Sequence, residues 1–404
     1  MNWTPPHHPG RGALALLPLA VVLSLLALTI DASALTIDTT TTSTTTPVAG
    51  QPPAPPEPPA PDPSPHIRVL LARLGVLSAQ HAVADQQTAA TAAHGAAAAA
   101  DGVVAEATQA QQDAQTQLDA ARQQLGSTAA YAFMHAGGAD FVAVLQGDST
   151  GGGSERELFA ASVDHHQQQV VDARNAPADA GDARDSAQQA DDQARQAAAD
   201  QDAQVSAAGS ALDDAHRELA TAIADENRPT TDSSWKLSIE GPTTFTAAEL
   251  AQWYDLQAHG SQATEPIADL AASYVDQGTA EGVRGDMAFA QSIHETGWFA
   301  NNDTIIANNF AGIGHCSDCP GGFPFATPDV GVLAQIQLLK SYAEPKPTYN
   351  LPRADKKVNG PAGCCPTWTE LGGVWASDTN YGPHILAYYA QMLEWLVALR
   401  SAAP

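Results

Sequence analysis

The sequence predicts a mainly α-helical protein in four parts: a signal peptide over residues 1–34, a Thr/Pro-rich linker over 35–65, a coiled-coil helical hairpin over 66–230, and a compact α-rich domain over 231–404. Three observations carry this. Residues 66–228 are dominated by Ala, Gln, Asp and Arg, and only Pro177 interrupts them. Six of the seven Trp residues, Trp235 to Trp395, lie in the last part of the chain, which puts an aromatic-lined core there. That part also holds short amphipathic segments at helical spacing, Ala247 to Gln257, Ile267 to Gln277, Met287 to Glu295, Val332 to Ala343 and His384 to Arg400.

At the start, Arg11 precedes an almost wholly apolar run, Ala13 to Ile30, and Ala32-Ser33-Ala34 matches an A-x-A cleavage pattern. The alternative is an uncleaved membrane anchor; Pro18 inside the run and the small-residue site after it favour cleavage near Leu35. No Cys precedes Cys316, so lipid anchoring near the N-terminus is excluded. Thr39 to Thr46 and then Pro52 to Pro65 cannot bury a core, and they predict an extended spacer.

In the hairpin, Ile67, Leu70, Leu74 and Leu77 recur at heptad a/d spacing, as do Leu212, Leu219 and Ile223. Ala fills most positions between, so the arms approach closely but bury little area. Breaks at Gly137-Gly138 and Gly151-Gly152-Gly153 predict two antiparallel arms joined at a tip. Tyr131, Gly137-Gly138, Asp140, Leu145 and Ser149 within that tip resemble the short apolar segment of coiled-coil domains in secreted peptidoglycan hydrolases. The resemblance implies a regulatory coiled coil that docks on a membrane partner or covers an active site; the alternative is a stalk with a helical cap.

A formal net charge of −27 argues against nucleic acid, because no basic stripe exists to neutralise phosphates. An anionic wall would repel such a chain too, so recognition must come from a shaped cleft. The four cysteines, Cys316, Cys319, Cys364 and Cys365, follow one another without the second spaced pair of a zinc ribbon. In an exported chain they read as disulfides, with three connectivities open.

Function is most readable in GDMAFAQSIHETGWFANNDTIIANNFAGIG. Met287, Phe289, Ala290 and Ile293 form an apolar helix face, and Glu295 falls at the end of that helix beside Trp298. A carboxyl held against aromatic surface loses solvation and stays protonated to higher pH, as a general acid for glycosidic cleavage requires. A zinc peptidase is set aside, since His294-Glu295 is followed by Trp298 where H-E-x-x-H needs a second His. No metal or other cofactor is expected.

QSIHETGWF followed by NNFAGIG resembles the bacterial glucosaminidase domain family (glycoside hydrolase family 73), and WASDTNYGPHI, Trp375 to Ile385, resembles its late segment. The resemblance implies a lysozyme-like α-rich fold that cuts N-acetylglucosaminyl linkages in peptidoglycan glycan strands. It makes Glu295 the acid, Tyr381 a positioning hydroxyl, and Trp298, Asn308, Asn309, Phe310 and Trp375 substrate-binding or cleft-shaping residues. The second carboxylate is sought at Asp329 or Asp318; without either, the substrate's own N-acetyl group would serve. Two other readings are a lytic transglycosylase on the same substrate and a non-catalytic wall-binding scaffold.

Overall fold

The computed structural model describes residues 60–136, 154–228, 235–315, 321–355 and 358–402. The expected signal peptide and all but the end of the linker lie outside the described residues. So do most of the hairpin tip, with Gly137-Gly138, Asp140, Phe141, Leu145 and Ser149, and the segment holding Cys316, Asp318 and Cys319.

The protein is mainly α-helical, as the sequence predicts. Helix α1 (Ser64–Ala136) runs beside α2 (Ser154–Ala173) and α3 (Ala176–Glu226). The arm returning to the domain is thus two helices, and Pro177 stands in the first turn of α3, where its missing N–H costs nothing. Alanines make most of the seam, Ala90, Ala121, Ala187, Ala198 and Ala222 being buried. At the tip Tyr131, Phe133 and Met134 are exposed.

The first turns of α1 depart from the heptad expectation. Ile67, Leu70 and Leu74 do not face the returning arm; they are buried in the same core as the C-terminal domain, while Val69 and Ala72 meet Leu219 and Ala222 of α3. A period of about 3.5 says that one helix face is apolar but not which neighbour covers it. The root is fastened by polar contacts as well. His66 bridges Glu226 and Glu394 at 2.7 and 3.0 Å, Arg68 pairs with Glu218 at 2.9 Å and with Asp225, and the N–H of Ala60 donates to Asn380 at 3.0 Å. The core therefore extends across the expected boundary at residue 230, and the end of the linker is docked.

Five helices of the C-terminal domain coincide with the predicted segments: α4 (Ala247–Leu256), α5 (Ile267–Glu281), α6 (Gly285–Thr296), α8 (Pro328–Ala343) and α9 (Tyr381–Ala402). A short α7 (Asn302–Ala307) and a 3-10 turn (Trp368–Leu371) are additional. The start of α4 is a reciprocal cap: the Thr246 side chain accepts from the Glu249 N–H, and Glu249 accepts from the Thr246 N–H at 2.8 Å. Helix α6 is the centre of the domain, with Gly285 to Ile293 all buried. It lies close against α5 because Gly278 meets Gly285 without side chains; a Cβ on Gly285 would stand 1.9 Å from the Tyr274 carbonyl oxygen. Glycine here sets how deeply α6, and with it Glu295, is sunk in the domain.

Candidate active site

Helix α6 stops one residue after Glu295. Gly297, Trp298 and Phe299 all have positive φ, +58°, +67° and +56°, so the chain reverses within a few residues. Two non-glycine residues in the left-handed region are costly and persist only where surroundings hold them. Here Tyr254 donates to the Trp298 carbonyl at 2.7 Å, and the Phe299 N–H donates to Thr296 Oγ1 at 2.7 Å. The turn leaves the Glu295 side chain at the negative end of the α6 dipole, which itself disfavours a charged carboxylate.

One carboxyl oxygen is fixed by two hydrogen bonds, and the other stands beside Gly312. Glu295 Oε1 accepts from the Tyr381 hydroxyl and from Trp375 Nε1 at 2.9 Å. Oε2 lies 3.5 Å from the point where a Cβ would stand on Gly312, whose φ of +62° suits glycine. Burial pushes the carboxyl above the ordinary range of a glutamic acid, and the Tyr381 and Trp375 donors and the charge of His315 pull against it without cancelling it. The group is protonated further up the pH scale than a surface glutamate, and its free oxygen faces a loop made of small residues.

Behind Tyr381 runs a buried chain of hydrogen bonds with one polarity. The Tyr274 hydroxyl donates to Gln335 Oε1 at 2.8 Å, Gln335 Nε2 to Gln291 Oε1 at 2.8 Å, and Gln291 Nε2 to the Tyr381 oxygen at 2.8 Å. With its lone pair so engaged, Tyr381 has its proton left for Glu295. Burial, and then Glu295 itself, hold the phenol well above its ordinary pKa, so it remains a donor. Gln291 sits one turn before Glu295 on α6, and Gln335 comes from α8.

Beside Glu295 opens a cleft of 350 Å³ lined by Ala311, Gly312, Ile313, Gly314, His315, Phe323, Leu338, Tyr342, Val358, Asn359 and Trp375. Three aromatic side chains on its walls suit the apolar faces of sugar rings. Trp375 packs on Tyr342 with ring centroids 5.2 Å apart, so one aromatic pair both holds the acid and borders the cleft.

The other residues singled out from sequence have different places. Asn309 is buried and knits the loop below Gly312, donating to the Ile313 and Phe323 carbonyls at 2.8 and 3.1 Å and accepting from the Ile313 N–H at 3.0 Å. Asn308 ends α7 with φ of +51° and donates to the Phe325 carbonyl at 3.0 Å. Phe310 is in the core against Phe299. None of these three is among the described residues lining the cleft; Asn309 holds the loop that carries Gly312. Trp298 has ring contacts with protein, stacking on His259 at 4.0 Å and on Trp253 at 5.8 Å, so its work is to pack the turn. Asp329 accepts from Ser273 and neighbours Glu265; among the described residues it shares no hydrogen-bond partner with Glu295. Cys364 and Cys365 are bridged to each other.

Gln335, His315 and Asp303 were not singled out from sequence, and Gln291 and Gly312 stood there only as parts of the two motifs, with no role given. Gln291 had a signal, standing four residues before Glu295 and so on the same helix face. Gln335 and Asp303 had none, because their partners lie 44 and 12 residues away in the chain.

No family model matches the chain, and no solved structure matches it. An uncharacterised protein of Borreliella burgdorferi is 31% identical over 134 residues, a match taking in 33% of this chain and 66% of that protein, just under two thirds of its length.

Proposed function

We propose that the chain is a secreted peptidoglycan hydrolase that cuts N-acetylglucosaminyl linkages in glycan strands, an endo-β-N-acetylglucosaminidase with Glu295 as general acid. The observation that carries the reading is the asymmetry of Glu295: Oε1 is locked by Tyr381 and Trp375, Oε2 lies against Gly312, which lines an aromatic-walled cleft, and burial raises the pKa. That is the arrangement of an acid that must keep its proton near neutrality and deliver it to one place. The lysozyme-like fold belongs to the same proposal, as do the cleaved signal peptide and the spacer that carries the domain off the membrane. A bridged cysteine pair suits the oxidising compartment outside the cytoplasm.

The hairpin is read as the part that carries or regulates the enzyme, with a membrane regulator as the partner its tip would meet. The described residues lining the cleft all come from the C-terminal domain, which favours carrying over covering. Purified peptidoglycan tests the function: the mature chain releases new reducing ends whose masses are those of hydrated products. Masses of 1,6-anhydro products would make it a lytic transglycosylase, and no release would leave a wall-binding scaffold.

A further inference from the structure

Hydrolysis needs a second group to activate water; of the two carboxylates expected from sequence, Asp318 lies outside the described residues and Asp329 is not hydrogen-bonded to Glu295. Asp329 is engaged with Ser273. Among the described residues the charged neighbour acting on Glu295 is His315, not a second carboxylate. His315 lines the cleft and is half exposed. Its Nε2 is hydrogen-bonded to Asp303 Oδ2, and Asp303 is nearly buried, held in addition by the Gly322 N–H at 3.3 Å. Both sides of the reaction centre meet at Gly312: a Cβ placed there would stand 3.5 Å from Glu295 Oε2 and 4.0 Å from His315 Cδ2. The acid oxygen and the Cδ2 edge of the imidazole therefore flank the same glycine; an acid and a base about 6.5–9.5 Å apart admit a water between them.

We propose that His315, oriented by Asp303, is the general base of this site, which makes the enzyme inverting. The proposal rests on the glycosidase reading above. Asp303 accepts the Nε2 proton, fixing the tautomer in which Nδ1 carries a lone pair, and Nδ1 has no protein partner among the described residues. Nδ1 takes a proton from water as the water oxygen bonds to the anomeric carbon. On the opposite face the bond from that carbon to the glycosidic oxygen breaks, and Glu295 gives its proton to the departing oxygen. The site is left with imidazolium and carboxylate, and proton exchange with solvent restores both. Asp303 is a positioning residue: it touches no substrate and acts through the imidazole.

Two readouts decide the matter. The first is the anomer at the new reducing end, followed by proton NMR before mutarotation on soluble glycan strands cut by the full mature chain; a β linkage should give the α product. The second is His315→Ala, with His315→Gln as a same-fold check by thermal melting. Turnover should fall about 10²–10⁴-fold in both. Azide should restore cleavage by His315→Ala and leave an α-glycosyl azide, since the anion attacks without a base and Glu295 still protonates the leaving oxygen. Asp303→Asn should lower turnover while the product stays α. Retention of configuration, or a folded His315→Ala with wild-type turnover, would overturn the assignment to His315 and leave the glycosidase reading standing. Absence of any new reducing ends from the wild-type chain would overturn both.

Discussion

Tyr381→Phe removes one oxygen from the end of the buried chain and leaves the ring in place. Two bonds go with it, the one donated to Glu295 and the 2.8 Å bond accepted from Gln291 Nε2. Glu295 is partly exposed, so water makes good part of the first loss. Gln291 is fully buried, and a buried N–H left without an acceptor costs about 1–3 kcal/mol. No cavity opens beyond one hydroxyl, so the total should be about 2–3 kcal/mol of unfolding free energy, read by denaturant titration. The catalytic effect has a sign. The Tyr381 donor lowers the Glu295 pKa, so its removal raises that pKa, and the alkaline limb of the rate profile moves to higher pH while the maximal rate falls because the acid is less well aimed. A limb that moves to lower pH, or a stability change below about 0.5 kcal/mol, would refute the view that Tyr381 couples the buried chain to the acid.

Three further outcomes follow from other parts of the structure. Glu281, wholly buried, receives Lys340 at 3.1 Å, Gln337 at 3.0 Å and the N–H groups of Asn350 and Leu351; Glu281→Gln strands the Lys340 ammonium and should cost about 3–5 kcal/mol by denaturant titration. Burial pushes Glu281 up, but these donors hold it below the ordinary range, so its contribution is complete above the unfolded pKa and fades as pH falls through the folded one. Glu295→Gln should raise the melting temperature near neutral pH, and the gain should vanish in acid. The folded pKa of Glu295 lies above its unfolded value, so the native state is not penalised below the unfolded pKa and loses stability as pH rises from there through the folded one. A chain beginning at Thr231 should melt far below one that keeps residues 60–80 joined by a short loop to 212–404, because Ile67, Leu70 and Leu74 each contribute about 1.5–3 kcal/mol to the shared core; equal melting would contradict that packing.

Helical periodicity located five helices of the C-terminal domain within a few residues, because each buries one continuous face. Glu295, Tyr381 and Trp375 were named from local motifs, and the structure brings those three together through hydrogen bonds. What sequence could not show was anything set by contact between distant segments. The one-way chain from Tyr274 through Gln335 depends on α8 crossing α6. The Asp303–His315 pair depends on the loop after α7 folding back over it. Ile67, Leu70 and Leu74 carried a pattern that a coiled-coil seam and a domain core satisfy equally well. Asn308, Asn309 and Phe310 belong to one motif, yet Asn309 holds the loop that bears Gly312, Asn308 bonds to the Phe325 carbonyl and Phe310 packs in the core.

The most direct test of the central claim is mass analysis of what purified peptidoglycan releases when treated with the mature chain and with Glu295→Gln at equal concentration. With Glu295 as the acid of a glycosidase, the wild-type protein yields hydrated fragments ending in new reducing N-acetylglucosamine. Glu295→Gln, folded by its melting curve, then yields several orders of magnitude less. Fragments of the same mass at the same rate from both proteins would contradict it.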